Sequence, residues 1–214
     1  MTPEDIAPLF TRTDGSYLCA RWGRPIAPVV FGVQDATLAT VKGALEAVSA
    51  MVRHPLAETD PELGANLMVF FLRDWAELAE VPGLGHMIPG LDLLVQRLAD
   101  EGASQYRTFR FDGQGAIRAV FTFVAMKGPM AEIPAEEIAL AQAAQAMLSW
   151  SEPAFAARSP LARTGVGGAG GGAGGVILHP EIAGILRAAY DPRMPSVGRD
   201  PSHALRLAAR LAIG

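Results

Sequence analysis

The apolar positions in the first part of the chain follow a strand pattern and then a helix pattern. Residues 26–33 form a β-branched apolar run that predicts a strand, and Pro28, which has no N–H to donate, favours a place at a sheet edge or a bulge. Apolar residues then recur at spacings of three and four, which predicts one helical stripe. These residues are Leu38, Val41, Leu45, Val48 and Val52. Asp35 is the predicted N-cap of this helix. The helix should end near Arg53, because His54 precedes a proline and disfavours helical backbone.

The middle of the chain predicts a buried strand followed by two helices. The continuous apolar run at 66–72 is typical of a central strand that is covered on both faces. Asp74 and Glu77 have the spacing of a capping box for a short helix. Residues 81–90 contain the prolines and glycines of a loop, and residues 91–101 predict a second helix.

A β-hairpin follows this second helix. Residues 105–111 alternate between two faces, and the segment Asp112-Gly113-Gln114-Gly115 is a strong turn signal before a returning strand at 117–126. One face of the first strand carries Arg107, Phe109 and Phe111.

The rest of the chain predicts helices on both sides of a glycine-rich segment. Pro134 is well placed to open a helix at 135–149, which is almost entirely apolar after Glu136 and Glu137. Two further helices are predicted at 179–190 and 200–213, separated by prolines.

Together these elements predict an α+β fold. It contains a mixed, partly antiparallel sheet of about four strands with packed helices and a helical C-terminal portion. Residues 1–15 are polar and contain prolines, which predicts a flexible N-terminal arm. Residues 16–214 are expected to form one α+β domain with a glycine-rich loop at 160–175.

Composition excludes several classes of protein. Half of the 214 residues are apolar (50%), which is too many for an intrinsically disordered chain. The net charge of −4 argues against nucleic-acid binding, which needs clustered lysine and arginine. No apolar run is long enough to span a membrane, and no signal peptide is visible. We therefore expect a cytoplasmic protein, or a periplasmic one if an export signal has been removed.

Cofactor and metal motifs are lacking in the sequence. Cys19 is the only cysteine and is predicted to be a small strand residue. Gly165, Gly167 and Gly170 match G-x-G-x-x-G, but the residues before them do not predict the strand that a dinucleotide site needs. The four histidines make no helix-face pair, so neither a metal site nor a cofactor is expected. His86, in the loop at 81–90, is the histidine best placed to bind a ligand.

The helix after the hairpin contains the most informative polar residues. Zincin metallopeptidases have a similar order of elements, and their helix at this point carries H-E-x-x-H, with two zinc-binding histidines and a glutamate base. The corresponding residues here are Ala141-Gln142-Ala143-Ala144-Gln145, which can neither bind zinc nor accept a proton. Gln142 and Gln145 are three residues apart, so they share a helix face and can hydrogen-bond a sheet edge or a loop.

The C-terminal run Ile185-Leu-Arg-Ala-Ala-Tyr-Asp-Pro-Arg-Met194, together with the helix that contains Gln145, resembles an uncharacterised bacterial domain family. Members of that family have a degenerate zincin-like helix, followed by a leucine-rich helix that ends in Tyr-Asp-Pro-Arg. The family's Glu-Glu-x-x-Gln motif falls on Ala141-Gln142-x-x-Gln145, where only Gln145 is retained. The resemblance implies a zincin-like fold and no established activity.

Three functions remain open at this point. The first is a non-catalytic, degenerate zincin-like domain that acts by protein or peptide interaction. The second is an enzyme whose site brings together His86, Glu136 or Glu137, and Arg193. The third is a small-molecule binding module between the Gln142/Gln145 face and the sheet.

The residues Tyr190, Asp191 and Arg193 have two interpretations. They are candidate binding residues, because they stand in the part of the chain that carries the resemblance. Alternatively, they fasten the end of a helix, with the Tyr190 ring buried and Asp191 paired with Arg193 across the turn.

Overall fold

The computed structural model of the protein describes residues 1–164 and 175–212. Seven α-helices occur in this part of the chain: α1 (Pro3–Ile6), α2 (Asp35–Met51), α3 (Leu84–Met87), α4 (Leu91–Asp100), α5 (Ala135–Ala146), α6 (Pro180–Ala189) and α7 (Ser202–Leu211). Eight strands occur: β1 (Cys19–Ala20), β2 (Pro28–Phe31), β3 (Leu67–Leu72), β4 (Gln105–Phe111), β5 (Ile117–Ala125), β6 (Leu161–Arg163), β7 (Val176–Leu178) and β8 (Val197–Gly198).

The main sheet has four strands in the order β2-β3-β5-β4. β2 is parallel to β3 and β3 to β5, whereas β4 runs antiparallel to β5. The predicted mixed sheet with packed helices is therefore confirmed, and the protein is an α+β protein. The apolar run at 66–72 is the central strand β3, and the strand with Pro28 lies at an edge, as predicted.

The two faces of this sheet are covered by different helices. On one face, a core that includes Val69 and Phe71 packs with residues of α2, α5 and α6. On the other face, Phe70 and Leu72 pack with Trp75 and with α4. The alternation along β3 sends neighbouring side chains to opposite faces, and because both faces are covered the strand is apolar throughout.

The expectation of a flexible arm at residues 1–15 is wrong. Thr2 and Asp5 form a reciprocal capping box that opens α1, and a 3-10 helix follows at Ala7–Leu9. Ile6 and Phe10 are fully buried, with an exposed fraction of 0% each. The three apolar residues Ile6, Leu9 and Phe10 recur at helical spacing, so the segment gains enough apolar burial to be ordered.

The strand predicted at 26–33 and the helix predicted at 135–149 are both shorter in the structure. The strand β2 covers Pro28–Phe31 rather than residues 26–33. It ends there because Gly32, directly after it, adopts a left-handed conformation with φ = 79°. α5 ends at Ala146 rather than at residue 149. Beyond it the chain pairs with β1, since Ser149 N donates to the Ala20 carbonyl at 3.0 Å.

Short local helices and caps also differ from prediction. The loop predicted at 81–90 contains the one-turn helix α3. The segment after Asp74 is a 3-10 helix, Trp75–Glu80, and the predicted capping box is incomplete. Asp74 accepts from Ala76 N, but Glu77 accepts from Arg73 N rather than from Asp74 N.

The start of the glycine-rich loop predicted at 160–175 is wrong. Residues 161–163 form β6, which pairs antiparallel with β7, and Thr164 N donates to the Gly175 carbonyl at 2.9 Å. The expectation that no strand precedes the glycines was therefore wrong. Residues 165–174, with the G-x-G-x-x-G match, lie outside the described residues. Among the residues described, no helix is both long and apolar enough to cross a membrane.

Candidate functional site

α5 presents two glutamines to the edge of the main sheet. The helix packs against α2, and its small buried residues, such as Ala139 and Ala143, permit a close approach. Gln142 and Gln145 are both 5% exposed and lie on one face of the helix. Buried amides need hydrogen-bond partners, so what lies opposite them defines the site.

Arg107 of the edge strand β4 lies opposite both glutamines. Its Nη1 donates to Gln145 Oε1 at 3.1 Å, and its Nη2 donates to Gln142 Oε1 at 2.6 Å. Gln142 Nε2 in turn donates to Gln105 Oε1 at 2.8 Å. The structure thus shows the two glutamines bonded to a sheet edge, and the cluster joins α5 to β4.

The charge of Arg107 is not balanced within this cluster. Among the described residues, its guanidinium donates hydrogen bonds only to neutral amides, and Nε is buried without a hydrogen-bond partner. Burial lowers the pKa of Arg107 to about 10, which leaves the side chain protonated at neutral pH. The sequence placed Arg107 on the same face as Phe109 and Phe111 but gave no sign that it would meet Gln142 and Gln145.

A cleft of about 440 Å³ lies beside this cluster, and both Arg107 and Gln145 line it. Its other walls come from the N-terminal segment, α4, β4 and the chain that follows α5. They include Arg12, Arg97, Tyr106, Phe109, Trp150 and Phe155. Trp150 and Phe155 pack edge to face, with ring centroids 5.0 Å apart. The cleft therefore combines aromatic surface with one partly buried cation.

The outer edge of β4 runs along the same cleft. Ala125 N donates to the Ser104 carbonyl, and Gln105 is the partner of Val124 in the antiparallel register. Because hydrogen-bonded and non-bonded pairs alternate in such a ladder, the N–H and C=O groups of Gln105, Arg107 and Phe109 point away from β5. No backbone group elsewhere in the described ranges pairs with them. Only the Phe109 carbonyl is partly covered, by Arg110 Nη1 at 3.2 Å.

The residues proposed for an enzyme site are not brought together. His86 is exposed on α3, whose Leu84 packs on the sheet face opposite to α5. Glu137 forms an ion pair with Arg163 at 3.0 Å, and Glu136 is exposed. Arg193 is exposed after α6. Within residues 1–164 and 175–212, no hydrogen bond or ion pair links any two of these four side chains.

Tyr190 hydrogen-bonds the end of α6 to two other segments of the chain instead of lining the cleft. Its hydroxyl donates to the Met147 carbonyl at 2.8 Å and accepts from Trp22 N at 3.4 Å. Its side chain is 8% exposed, and burial raises the pKa of its phenol. The predicted pairing of Asp191 with Arg193 is wrong in detail. Asp191 accepts from the Arg193 backbone N–H at 2.7 Å, while its ion pair is with Arg210 at 3.4 Å, because α7 packs against α6.

Cys19 is a strand residue, as predicted, and is 3% exposed in β1. Burial raises the pKa of its thiol, which keeps it protonated and unreactive at neutral pH. In the part of the chain that the structure covers, no group of three His, Cys, Asp or Glu side chains could hold a metal ion.

Two histidines outside the cleft make the stability depend on pH. Burial lowers the pKa of His203, which contacts the Tyr17 hydroxyl through Nδ1, and also the pKa of His54, whose Nε2 donates to the Arg24 carbonyl. The unfolded chain then binds protons at higher pH than the folded chain. The free energy of unfolding should therefore fall as the pH drops below about 6.5.

Melting temperatures at about pH 7.5 and about pH 5.5 test this expectation. The native chain should melt at a lower temperature at the acidic pH. The variant with His54→Gln and His203→Gln should lose most of that difference. Equal pH dependence in both proteins would contradict the assignment.

Comparisons of this chain with family models, with curated proteins and with solved structures find no match.

Proposed function

We propose that this protein is a non-catalytic domain with a degenerate zincin-like order of elements, which binds an extended peptide segment of a partner protein. The peptide would add as a further strand to the outer edge of β4. The observation that carries the proposal is the unpaired edge of β4 beside an aromatic cleft. In this mode of recognition, main-chain hydrogen bonds give affinity and neighbouring pockets select side chains.

The zincin-like part of the proposal is supported by the order of elements. The chain runs β2, α2, β3, α3, α4, β4, β5 and then α5. On α5, Ala141 and Gln145 stand where a metallopeptidase helix would carry its two ligands, and Gln142 stands where it would carry its base. Glutamine amides do not titrate, so these positions cannot supply a general base.

The non-catalytic part is supported by the charges in the cleft. Its carboxylates among the described lining residues, Glu101 and Glu152, are exposed and stand beside Arg97 and Arg12 at 4.0 Å and 3.2 Å. A small-molecule site between the glutamines and the sheet is disfavoured, because the Arg107 side chain occupies that space.

A selection experiment tests the proposal. A random library of displayed dodecapeptides, some with free C-termini, is screened against the full chain, and enriched sequences are resynthesised for affinity measurement. We expect enriched peptides to bind Gln105→Pro about 20-fold more weakly than Gln105→Ala, because one missing N–H leaves a peptide carbonyl unpaired.

The two variants form a matched pair. Both lose the amide that accepts from Gln142, but only proline removes the outward N–H. Proline is tolerated at the first residue of an edge strand, which is the position of Gln105. Failure to enrich any peptide, or equal affinity of the two variants, would contradict the proposed function.

A further inference from the structure

We infer that the cleft selects a peptide that carries a carboxylate, and that this carboxylate pairs with Arg107. The inference rests on the proposed function, since it names the chemistry of the peptide that the β4 edge would bind. The carboxylate can come from an Asp or Glu side chain or from a free C-terminus.

The first argument is the unfinished hydrogen bonding of Arg107. A guanidinium has five N–H groups in a planar fork that matches a carboxylate. Here two of them donate to Gln142 and Gln145, and the buried Nε has no partner. A cation that is partly removed from water is unfavourable unless an anion accompanies it. Within the described ranges, Arg107 forms no ion pair.

The second argument is the distribution of charge around the cleft. Arg12 Nη1 lies 3.2 Å from Glu152 Oε1, and Arg97 Nε lies 4.0 Å from Glu101 Oε1. These four rim residues compensate one another, so Arg107 supplies the surplus positive charge of the described lining. The chain as a whole carries −4, so attraction of an anion to this point is local.

The third argument is the position of Arg107 on the strand. Its own N–H and C=O point to the outer edge, so an added antiparallel strand would place one residue directly opposite Arg107 as a hydrogen-bonded pair. Side chains of such a pair lie on the same face, with Cβ atoms about 5 Å apart. An acidic side chain at that position, or a terminal carboxylate at the end of the strand, would reach the guanidinium.

The enriched peptides from the library supply the probes. Each is resynthesised in three forms: unchanged, with every Asp and Glu replaced by Asn and Gln, and with an amidated C-terminus. We expect one of the two modified forms to bind about 30-fold more weakly than the unchanged peptide. Which form loses affinity identifies the source of the carboxylate.

Protein variants assign the effect to Arg107. Arg107→Met should abolish the preference for the acidic form, whereas Arg118→Met, an equal change of charge at an exposed residue of β5, should retain it. If Arg107→Met does not fold, Gln145→Glu provides the same test. It places a carboxylate of the chain itself beside Arg107 and should weaken binding of the acidic form but not of the neutral form.

Three results would overturn the inference, and only the last of them would also overturn the proposed function. If peptides are enriched and remain sensitive to Gln105→Pro, but their acidic and neutral forms bind within about threefold of each other, the inference fails and edge binding stands. The same holds if Arg107→Met retains the preference. If no peptide is enriched, the proposed function fails and the inference fails with it.

Discussion

Replacing Gly32 with alanine should lower the free energy of unfolding by about 4 kcal/mol. Gly32 follows β2 with φ = 79°, a conformation that costs free energy for any residue with a Cβ. A Cβ at this position would also lie 1.9 Å from the Phe71 carbonyl oxygen. That oxygen belongs to the backbone of β3, so relief would require the central strand to move.

Gly43→Ala is the matched control for this change. Gly43 lies in α2, and an added Cβ there would meet no heavy atom within 4 Å. Alanine has the higher helix propensity, so this variant should be more stable by about 0.8 kcal/mol. Denaturant unfolding of both variants is the measurement. Similar stabilities of the two would show that the close contact at Gly32 is not formed.

Trp22→Ala should cost a similar amount, about 4 kcal/mol. Trp22 is 1% exposed, and its Nε1 donates to the Ala146 carbonyl at the end of α5, at 2.9 Å. Its backbone N–H donates to the Tyr190 hydroxyl. The change therefore opens a large cavity and removes the partner of a buried carbonyl at the end of the helix that carries Gln142 and Gln145.

Trp22→Phe separates the two losses. It keeps most of the buried aromatic surface and removes the indole N–H together with a smaller part of the ring, so a loss of about 2 kcal/mol is expected. Unfolding of the two variants in urea, compared with the native chain, measures both numbers. If Trp22→Ala lowered the free energy of unfolding no more than Trp22→Phe does, the packing of the Trp22 ring would not stabilise the fold, and the account would be contradicted.

The main sheet could be predicted because its signals are local. The run at 66–72 indicated a strand covered on both faces, and Pro28 indicated an edge, since the missing N–H is a property of one residue. The turn at residues 112–115 predicted the hairpin of β4 and β5. Residues 1–15 were misjudged because their polar composition outweighed three apolar residues whose burial depends on distant partners.

The candidate site was predictable only in part. Gln142 and Gln145 stood out because polar residues interrupt an apolar helix, and their hydrogen bonds to a sheet edge follow from that spacing. Alternation along β4 predicted which face of the strand carries Arg107. Its hydrogen-bond partners, however, depend on how α5 packs against the sheet, which the sequence pattern does not show. The same reason explains His86, which lies on the short helix α3 within the predicted loop and on the other side of the sheet.

Hydrogen exchange of the protein in complex with the tightest selected peptide tests the central claim most directly. The outward amides of Gln105, Arg107 and Phe109 should exchange at least about tenfold more slowly when the peptide is bound, because they become part of a ladder. The amides of β2, the other edge strand, should not change. Protection confined to β2 or to another part of the surface, with the three β4 amides unchanged, would contradict binding at the β4 edge.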